Sequence, residues 1–366
     1  MNTAIRPPSH AGKPRPIIAV TMGDAAGIGP ELCLQLLARH KLTDKFIPLV
    51  IGDGDVLSRV SKAVNIPFNV PRLDAWTKEL NTAAVLDLPG ALAGDAVEPG
   101  KNQLICGRAA ALFIREAIEG CLKARYAAMV TAPISKKALN MAGVKYPGHT
   151  EMLADLTRSA NYAMLLYSEE IACAFVTCHQ ALRTVSDSLS VKRVVEVATL
   201  GYESVRTIRG SAPKLCMLGL NPHAGEEGLF GDEEERVLVP AMKELAAKGI
   251  DIEGPLPSDT AFTPAARKRY GLYIAMYHDQ GGIPFKMLSF DTGVNVTMGL
   301  PIIRTSPDHG TAFDIAWKGK VRADSFLSAY DLAMRLALDA RKRETAPPAR
   351  DTRPHGDKKV TKRLSS

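Results

Sequence analysis

The chain has 366 residues, of which 46% are hydrophobic and 23% are charged. This length is more than one ordinary hydrophobic core needs, and the composition is that of globular domains, which excludes fibrous, disordered and membrane-spanning classes. The net charge of +7 is concentrated at the carboxyl end, because residues 341–366 hold nine Lys or Arg against three Asp or Glu. Since the rest of the chain is nearly neutral, we expect neither a nucleic-acid partner nor a membrane partner.

The two ends of the chain differ in composition from the body. Residues 1–16 contain no apolar stretch of the kind found in signal peptides, and six cysteines are scattered without a CxxC pair. Both features are typical of a protein with reduced thiols inside the cell. We therefore predict a cytoplasmic protein with a disordered segment at 1–15 and a disordered basic tail at 341–366.

Short apolar runs alternate with longer helical patterns along the chain. The runs that predict strands are residues 16–21, 46–52, 83–88, 127–133, 171–177, 214–220 and 272–278. Apolar residues at helical spacing predict helices at 108–122, 191–208, 233–247 and 325–341. This alternation predicts an α/β fold with a mainly parallel sheet and crossover helices.

The first predicted strand continues into a glycine-rich turn, from Thr21 to Glu31, with glycines at 23, 27 and 29. Such a turn either presents backbone N–H groups to an anion or only connects a strand tightly to a helix, and both structures need the glycines. The spacing is not GxGxxG and no GK[ST] follows, so the segment predicts neither a Rossmann fingerprint nor a P-loop.

Three histidines stand at the ends of predicted strands. His179, His223 and His278 follow or end the runs at 171–177, 214–220 and 272–278. A lone histidine is more often a structural hydrogen-bonding residue than a ligand, but neighbouring parallel strands can bring three to one sheet edge. Three neutral imidazoles leave the charge of a divalent ion uncompensated, so the pattern predicts a zinc or cobalt site with positions open to substrate oxygens.

Lys286, Asn295 and Arg304 form a further candidate cluster, spaced nine residues apart. A lysine, an amide and a guanidinium fork can together hold a phosphate or a carboxylate. Spacing alone favours ordinary surface charge on a β-rich segment.

Seven motifs in chain order are similar to one known family. They are TMGDAAGIGPE, TAPISK, PGHTE, LNPHAGE, GPLPSDT, YHDQG and IIRTSPDHGTAFDIA. Together they resemble the 4-hydroxythreonine-4-phosphate dehydrogenase family of pyridoxal phosphate biosynthesis, from about Pro16 to Leu338. The resemblance implies a two-lobed fold like that of isocitrate and isopropylmalate dehydrogenases. We place the first lobe at 16–131 plus 280–340, and the second, with metal ligands and dimer contacts, at 132–279.

The resemblance also implies roles for particular residues. One divalent metal ion, Zn, Co or Mg, would be held by His179, His223 and His278. Substrate contacts would come from His149, Thr150, Lys286, Asn295 and Arg304. The loop that would hold NAD or NADP contains His309, Gly310, Thr311 and Ala312. Lys136 and Asp259 are the candidates for the catalytic base. Members of the family are homodimers whose active site draws residues from both subunits.

The implied activity is NAD-dependent and metal-dependent oxidation and decarboxylation of a small phosphorylated hydroxy acid. Ala25 stands where the family usually has proline, and Trp317 where it usually has glycine. These departures indicate a paralogous branch, so the substrates to consider are 4-hydroxythreonine 4-phosphate and threonate or erythronate 4-phosphate. The alternative is a carboxylated cis-dihydrodiol of the terephthalate type, from aromatic degradation.

Two other functional classes compete with a dehydrogenase. A metal-dependent hydrolase would also use three histidines but has no use for the DHGTA loop at 308–312. A metabolite-binding sensor with a basic tail for nucleic acid would bind a ligand without turnover. Reduction of NAD during turnover distinguishes the dehydrogenase from both.

Overall fold

The structure, a computed structural model, describes residues 15–41, 44–88, 90–92, 96–146 and 148–345. Within these residues twelve strands form one sheet, in the order β3-β4-β2-β1-β5-β12-β11-β6-β7-β10-β8-β9. The strands are β1 Ile17–Thr21, β2 Ile47–Gly52, β3 Arg72–Leu73, β4 Ala84–Asp87, β5 Ala128–Thr131, β6 Ala163–Tyr167, β7 Ala172–Phe175, β8 Leu215–Leu218, β9 Ile252–Leu256, β10 Leu272–Ala275, β11 Val294–Met298 and β12 Arg304–Pro307.

The helices pack around this sheet. They are α1 Gly29–Arg39, α2 Gly54–Val64, α3 Leu104–Leu122, α4 Lys136–Met141, α5 His149–Leu156, α6 Val185–Ser188, α7 Val191–Arg209, α8 Val239–Ala247, α9 Ser258–Ala261, α10 Pro264–Arg269, α11 His278–Ser289 and α12 Asp324–Thr345. A π-helical turn, Glu234–Leu238, leads into α8. All the strands and helices predicted from periodicity are present, and the α/β class with a mainly parallel sheet is confirmed.

The direction of the strands reverses near the middle of the sheet. Pairing is parallel from β3 across to β12 and again from β7 across to β9. Between these halves, β12, β11, β6 and β7 pair antiparallel. The carboxyl ends of β7, β10 and β8 therefore meet at one edge of their half, and those of β1, β5 and β12 meet at one edge of the other.

The apolar runs of the sequence form strands that are buried in the core of the protein. Every residue of β1 and β2 is buried, as expected for parallel strands covered by helices on both faces. Helix α7 begins and ends at recognisable signals. The Ser190 hydroxyl accepts from Arg193 N at 3.2 Å at the start of α7, and Gly210, with φ 71°, ends that helix.

The last helix corrects the predicted start of the basic tail. Residues 341–345 belong to α12, whose last turn contains Lys342 and Arg343. Cations stabilise the carboxyl end of a helix, so basic composition does not end the helix here. Residues 1–14 and 346–366 of the predicted disordered segments lie outside the described residues. The division into two lobes at the stated bounds stays a prediction.

The state of the cysteines and the hydropathy of the helices can also be described. All six cysteines are free thiols, four of them buried. In the part of the chain that the structure describes, no helix is long and apolar enough to cross a bilayer.

Candidate active site

A cavity of about 350 Å³ lies at the carboxyl end of β5, beside β11 and β12. All five residues that the resemblance assigns to the substrate line it: His149, Thr150, Lys286, Asn295 and Arg304. Lys136, His179, His309 and Gly310 line the same cavity. The fold thus brings together residues that are far apart in the sequence, including the three spaced nine residues apart.

Arg304 is the buried cation of this cavity, with only 3% of its surface exposed. Its Nε and Nη2 donate to the Thr131 hydroxyl at 3.2 and 2.7 Å, and its Nη1 donates to the Thr297 hydroxyl at 3.0 Å. Burial lowers the pKa of Arg304. Both partners are neutral, and none of the described carboxylates forms an ion pair with Arg304. A buried cation held only by hydroxyls is suited to an anionic ligand.

Several polar atoms of the cavity lining have no partner among the described residues. They are His149 Nε2, Asn295 Oδ1 and His309 Nε2, and all three atoms are buried. Burial, with a smaller contribution from Arg304, holds the pKa of His149 well below its usual value, so its imidazole is neutral at pH 7. Buried polar atoms are normally hydrogen-bonded, so these three indicate that a polar ligand completes the site.

Helix α5 presents its amino end to the cavity, with His149 and Thr150 as its first two residues. The preceding Gly148 has an extended backbone and provides no side-chain cap. The first N–H groups of a helix have no partner within the helix, and the helix dipole favours negative charge there. The first turn of α5 therefore offers backbone donors as well as side chains.

Lys286 lies on α11 at the rim. Its Nζ is 3.4 Å from Asp308 Oδ2. Burial raises the pKa of Asp308, and the charge of Lys286 partly opposes that shift. Because 42% of the Lys286 side chain is exposed, the ammonium can leave Asp308 for an incoming anion at little cost.

The three histidines proposed as metal ligands follow β7, β8 and β10, which are neighbours in the sheet. The rings of His179 and His278 lie 5.8 Å apart between centroids. His223 lies elsewhere, with its ring 6.2 Å from that of Phe230 and its backbone in the left-handed region at φ 52°. The described part of one chain contains no group of three possible metal ligands. One chain therefore assembles two of the three imidazoles.

Glu151 is a site residue that was missed from the sequence. It lines the cavity, and its Oε1 is 3.9 Å from His179 Nδ1. The interaction with His179 is the main reason why the pKa of Glu151 is lowered. Its position in the first turn of the same helix as His149 and Thr150 was an available signal, because all residues of a first turn lie near the amino end of the helix.

The two candidates for the catalytic base are separated in the structure. Lys136 lines the cavity as the first residue of α4, which the Ser135 hydroxyl caps by accepting from Ala138 N at 3.1 Å. Asp259 is not among the residues that line the cavity; it lies on α9. Its neighbour Ser258 donates from its hydroxyl to the Gly219 carbonyl at 3.3 Å, near the end of β8.

The glycine-rich turn is a structural connection. Gly27 N donates to Asp24 O at 3.0 Å and Ile28 N to Thr311 O at 3.1 Å, while Ala26 N donates to Asp24 Oδ1 at 2.9 Å. These N–H groups are used inside the protein, so they do not bind an anion. The turn instead supports the loop that continues from His309 and Gly310 to Thr311 and Ala312.

The two departures from the family pattern contact each other. Trp317 Nε1 donates to the carbonyl of Ala25 at 3.1 Å, and Arg59 lies over the indole at 4.9 Å from the ring centroid. Trp317 has φ 62°, a conformation in which glycine is favoured. The indole therefore fills space beside the turn while its backbone keeps a glycine-like conformation.

Comparisons with known proteins agree with this architecture. Residues 44–333 match the family described as Pyridoxal phosphate biosynthetic protein PdxA. D-threonate 4-phosphate dehydrogenase from Salmonella typhimurium is 45% identical over 325 residues, which cover 87% of this chain and 98% of that protein.

Solved structures give the same result. The crystal structure of 4-hydroxythreonine-4-phosphate dehydrogenase from Klebsiella pneumoniae superposes with a TM-score of 0.76 at 42% identity, covering 88% of this chain and 99% of that one. A terephthalate 1,2-cis-dihydrodiol dehydrogenase from Burkholderia xenovorans has a TM-score of 0.61 at 23% identity, covering 87% and 98%, and shares the fold. The extent of the match and the identity over nearly full-length relatives show that the chain belongs to the PdxA family of pyridoxal phosphate biosynthetic proteins.

Proposed function

We propose that this protein is an NAD-linked, metal-dependent dehydrogenase that oxidises and decarboxylates a small phosphorylated hydroxy acid. The observation that carries the proposal is the cavity with a buried arginine, held only by hydroxyls, beside three unpartnered polar atoms. D-threonate 4-phosphate is the first candidate substrate, because the Salmonella relative is named for it. The next candidate substrates are 4-hydroxythreonine 4-phosphate and erythronate 4-phosphate.

The phosphate is proposed to bind between Arg304, Lys286 and the amino end of α5. A phosphate carries about −1.5 to −2 charge at pH 7 and three acceptor oxygens, which matches two cations and several N–H donors. Asn295 and neutral His149 add hydrogen bonds. A carboxylate in the same place would meet two cations with only one negative charge, which disfavours the dihydrodiol alternative.

The oxidation requires a base for the hydroxyl proton and an acceptor for the hydride. Of the two candidates, Lys136 lines the cavity, so it is the proposed base. The loop from His309 to Ala312 would hold NAD or NADP, whose nicotinamide would accept the hydride from the carbon that bears this hydroxyl. The resulting β-keto acid loses its carboxylate as carbon dioxide, and a proton replaces it on the carbon.

A divalent metal ion is proposed to bind at His179 and His278, whose adjacent imidazoles are a suitable donor pair. When bound, such an ion would supply Lewis acidity toward the hydroxyl and carboxylate oxygens. Zinc, cobalt and magnesium are all to be tested. His223, the third proposed ligand, does not join this pair within the described part of one chain, so we propose that a second subunit supplies it.

A homodimer with a shared active site is therefore part of the proposal. Helix α11 carries His278 and Lys286 and also exposes apolar side chains: Ile283 is 58%, Met287 82% and Phe290, which follows the helix, 72% exposed. A cluster of exposed apolar residues beside an active site is typical of a subunit interface. The free cysteines support a cytoplasmic location as a further proposal.

The test is a substrate panel with NAD and NADP, followed by nicotinamide absorbance and by release of carbon dioxide. We expect D-threonate 4-phosphate to turn over, chelation to abolish turnover, and zinc, cobalt or magnesium to restore it. Efficient turnover of a terephthalate-type dihydrodiol with none of any phosphorylated acid would contradict the phosphate assignment. Full activity of the metal-free enzyme would contradict the metal requirement.

A further inference from the structure

A second cavity, of about 570 Å³, lies at the other edge of the sheet from the candidate active site. Its floor contains Ile17, Ala127 and Ile303, at or directly before the amino ends of β1, β5 and β12. The active-site cavity takes Thr131 and Ser306 from the other ends of β5 and β12. The two cavities are therefore separated by the length of the strands, and a ligand in one does not contact the other.

The side chains that line this second cavity have one sign of charge. They include Arg15, Lys78, Arg125 and Arg341, and none of the described residues that line it is Asp or Glu. Arg15 donates to the backbone carbonyls of Asp44 and Asn81. Arg125 is paired with Glu116 at 3.1 Å. A cavity lined by cations focuses positive potential and favours an anion.

Two unpartnered donors line the same cavity. Trp76 Nε1 and Arg125 Nε are buried and have no hydrogen-bond partner within the described residues. Both groups can only donate, so what is missing is an acceptor. The Arg125 guanidinium lies 5.7 Å from the centroid of the Trp76 ring and 5.4 Å from that of Tyr126, which holds it in place for an incoming oxygen.

We propose that this cavity binds an anion with two or more phosphate groups. Diphosphate oxygens supply several acceptors and several negative charges, as the unpartnered donors and the cations require. Two sources share this chemistry: free pyrophosphate and a nucleoside diphosphate, whose base can pack on the apolar walls beside Trp76.

The basic end of the chain is a poor occupant of the cavity. Arg341 lines it and begins the segment 341–366, which holds nine Lys or Arg against three Asp or Glu. Like charges repel, so the net positive charge of this segment disfavours its binding among the cations of the cavity. The same charge adds positive potential, which attracts an anion.

Titration calorimetry of the full-length protein at low salt, with pyrophosphate and with ADP separately, tests the proposal. Lys78 and Arg341 are both exposed, so Lys78→Glu combined with Arg341→Glu should leave the fold intact, which thermal unfolding checks. We expect this double variant to weaken pyrophosphate binding at least tenfold. Lys268→Glu, an exposed charge reversal on α10, is the matched control and should have no effect.

Arg304→Gln separates this site from the active site. Pyrophosphate binding at the second cavity should survive that substitution, and it should do so whether or not the proposed enzymatic function is correct. If ADP binds more tightly than pyrophosphate and Trp76→Phe weakens the binding of ADP, the ligand is a nucleotide. If ADP and pyrophosphate bind equally well, the ligand is the free diphosphate. The proposal is wrong if the double reversal leaves pyrophosphate affinity unchanged, or if Arg304→Gln alone abolishes it. It is also wrong if a short oligonucleotide alone binds and truncation after Thr345 removes that binding.

Discussion

At the scale of single residues, Arg304 combines burial, charge and specific geometry. Three of its nitrogens donate to two hydroxyls, which fixes the plane of the guanidinium before a ligand arrives. A lysine keeps the charge but loses the planar fork and most of these hydrogen bonds. The geometry of this side chain, more than its charge, is therefore expected to determine how well a phosphate is held.

Arg304→Lys should raise KM for the phosphorylated substrate about ten- to hundredfold, because charged hydrogen bonds contribute about 1.5 to 3 kcal/mol each. Steady-state kinetics measure this effect. Arg115→Lys, on the exposed face of α3, is the matched control and should leave KM unchanged. An unchanged KM in Arg304→Lys would place the phosphate elsewhere.

A second prediction concerns Asp24, which is fully buried. Burial raises the pKa of its carboxyl to about 6, although the backbone N–H groups of Ala26 and Ser135 oppose the shift. The folded state therefore holds the proton more tightly than the unfolded chain, and this group makes the protein less stable as the pH rises from about 4 to above 6. An asparagine keeps the acceptor oxygen without the charge.

Asp24→Asn should thus increase the free energy of unfolding by about 1 to 3 kcal/mol at pH 7.5 and by much less at pH 4.5. Urea unfolding at the two pH values measures the difference. A variant that is destabilised at pH 7.5 would mean that the charged carboxylate contributes to stability through its two backbone partners.

The sequence predicted the strongly polar residues that line the cavity, and it did not predict a lining residue whose role depends on a neighbour. His149 and Arg304 belong to recognisable motifs, and Lys286 and Arg304 have strong hydrogen-bond donors. Glu151 was not identified, because its importance comes from His179, which is brought close only by the fold. The separation of His223 from the other two histidines also could not be predicted, since strand order does not fix the conformation of the loop that follows a strand.

At the scale of elements, Gln280 joins the segments that carry two of the proposed metal ligands, His223 and His278, to the segment that follows β9. Its side chain accepts from Met276 N at 2.6 Å and donates to Gly219 O at 2.5 Å and to the Ser258 hydroxyl at 2.8 Å. These partners follow β10, β8 and β9 respectively. One buried amide thus holds three adjacent strand ends in register.

Gln280→Leu should lower the free energy of unfolding by about 1 to 3 kcal/mol, because it leaves the buried Met276 N–H unsatisfied. The Gly219 carbonyl loses one donor but still accepts from the Ser258 hydroxyl. The substitution should also reduce turnover by displacing His278. Gln35→Leu, which removes one hydrogen bond to Val321 O, is the matched control in chemical denaturation. If the two variants lose the same stability, Gln280 has no special role in joining the loops.

The strands predicted from sequence all contain apolar runs, but β6, which is also apolar, and β9 were not predicted. Strand β11 was missed because it alternates apolar residues with Asn295 and Thr297, and β12 was missed because Arg304, Thr305 and Ser306 give it no apolar run. Apart from Thr305, these polar residues line the cavity or form hydrogen bonds with residues that line it. Side chains needed at the site therefore interrupt the apolar pattern by which a strand is recognised. The two-residue β3 is too short for any periodicity to reveal it.

At the scale of the whole molecule, the proposed homodimer links assembly to activity. The exposed apolar side chains of α11 lie on the helix that supplies His278 and Lys286. Covering this helix with a second subunit would exclude water from both residues. The oligomeric state and the catalytic rate are therefore expected to change together.

Met287→Glu should convert the dimer to a monomer and reduce activity by a factor of at least ten, because it places a charge on an apolar surface that would be buried. Analytical ultracentrifugation and turnover are the measurements. Leu112→Glu, on an exposed position of α3, serves as the control. A variant that remains dimeric and active would exclude α11 from the interface.

The order of the strands in the sheet also governs how the chain can fold as it is synthesised. Strands β12 and β11 lie between β5 and β6, although they are the last two strands to leave the ribosome. Until they arrive, β5 and β6 each keep an open edge, which is where partly made chains aggregate. Asn295 and Arg304 enter with these strands, so the proposed anion site is completed in the same step that closes the sheet.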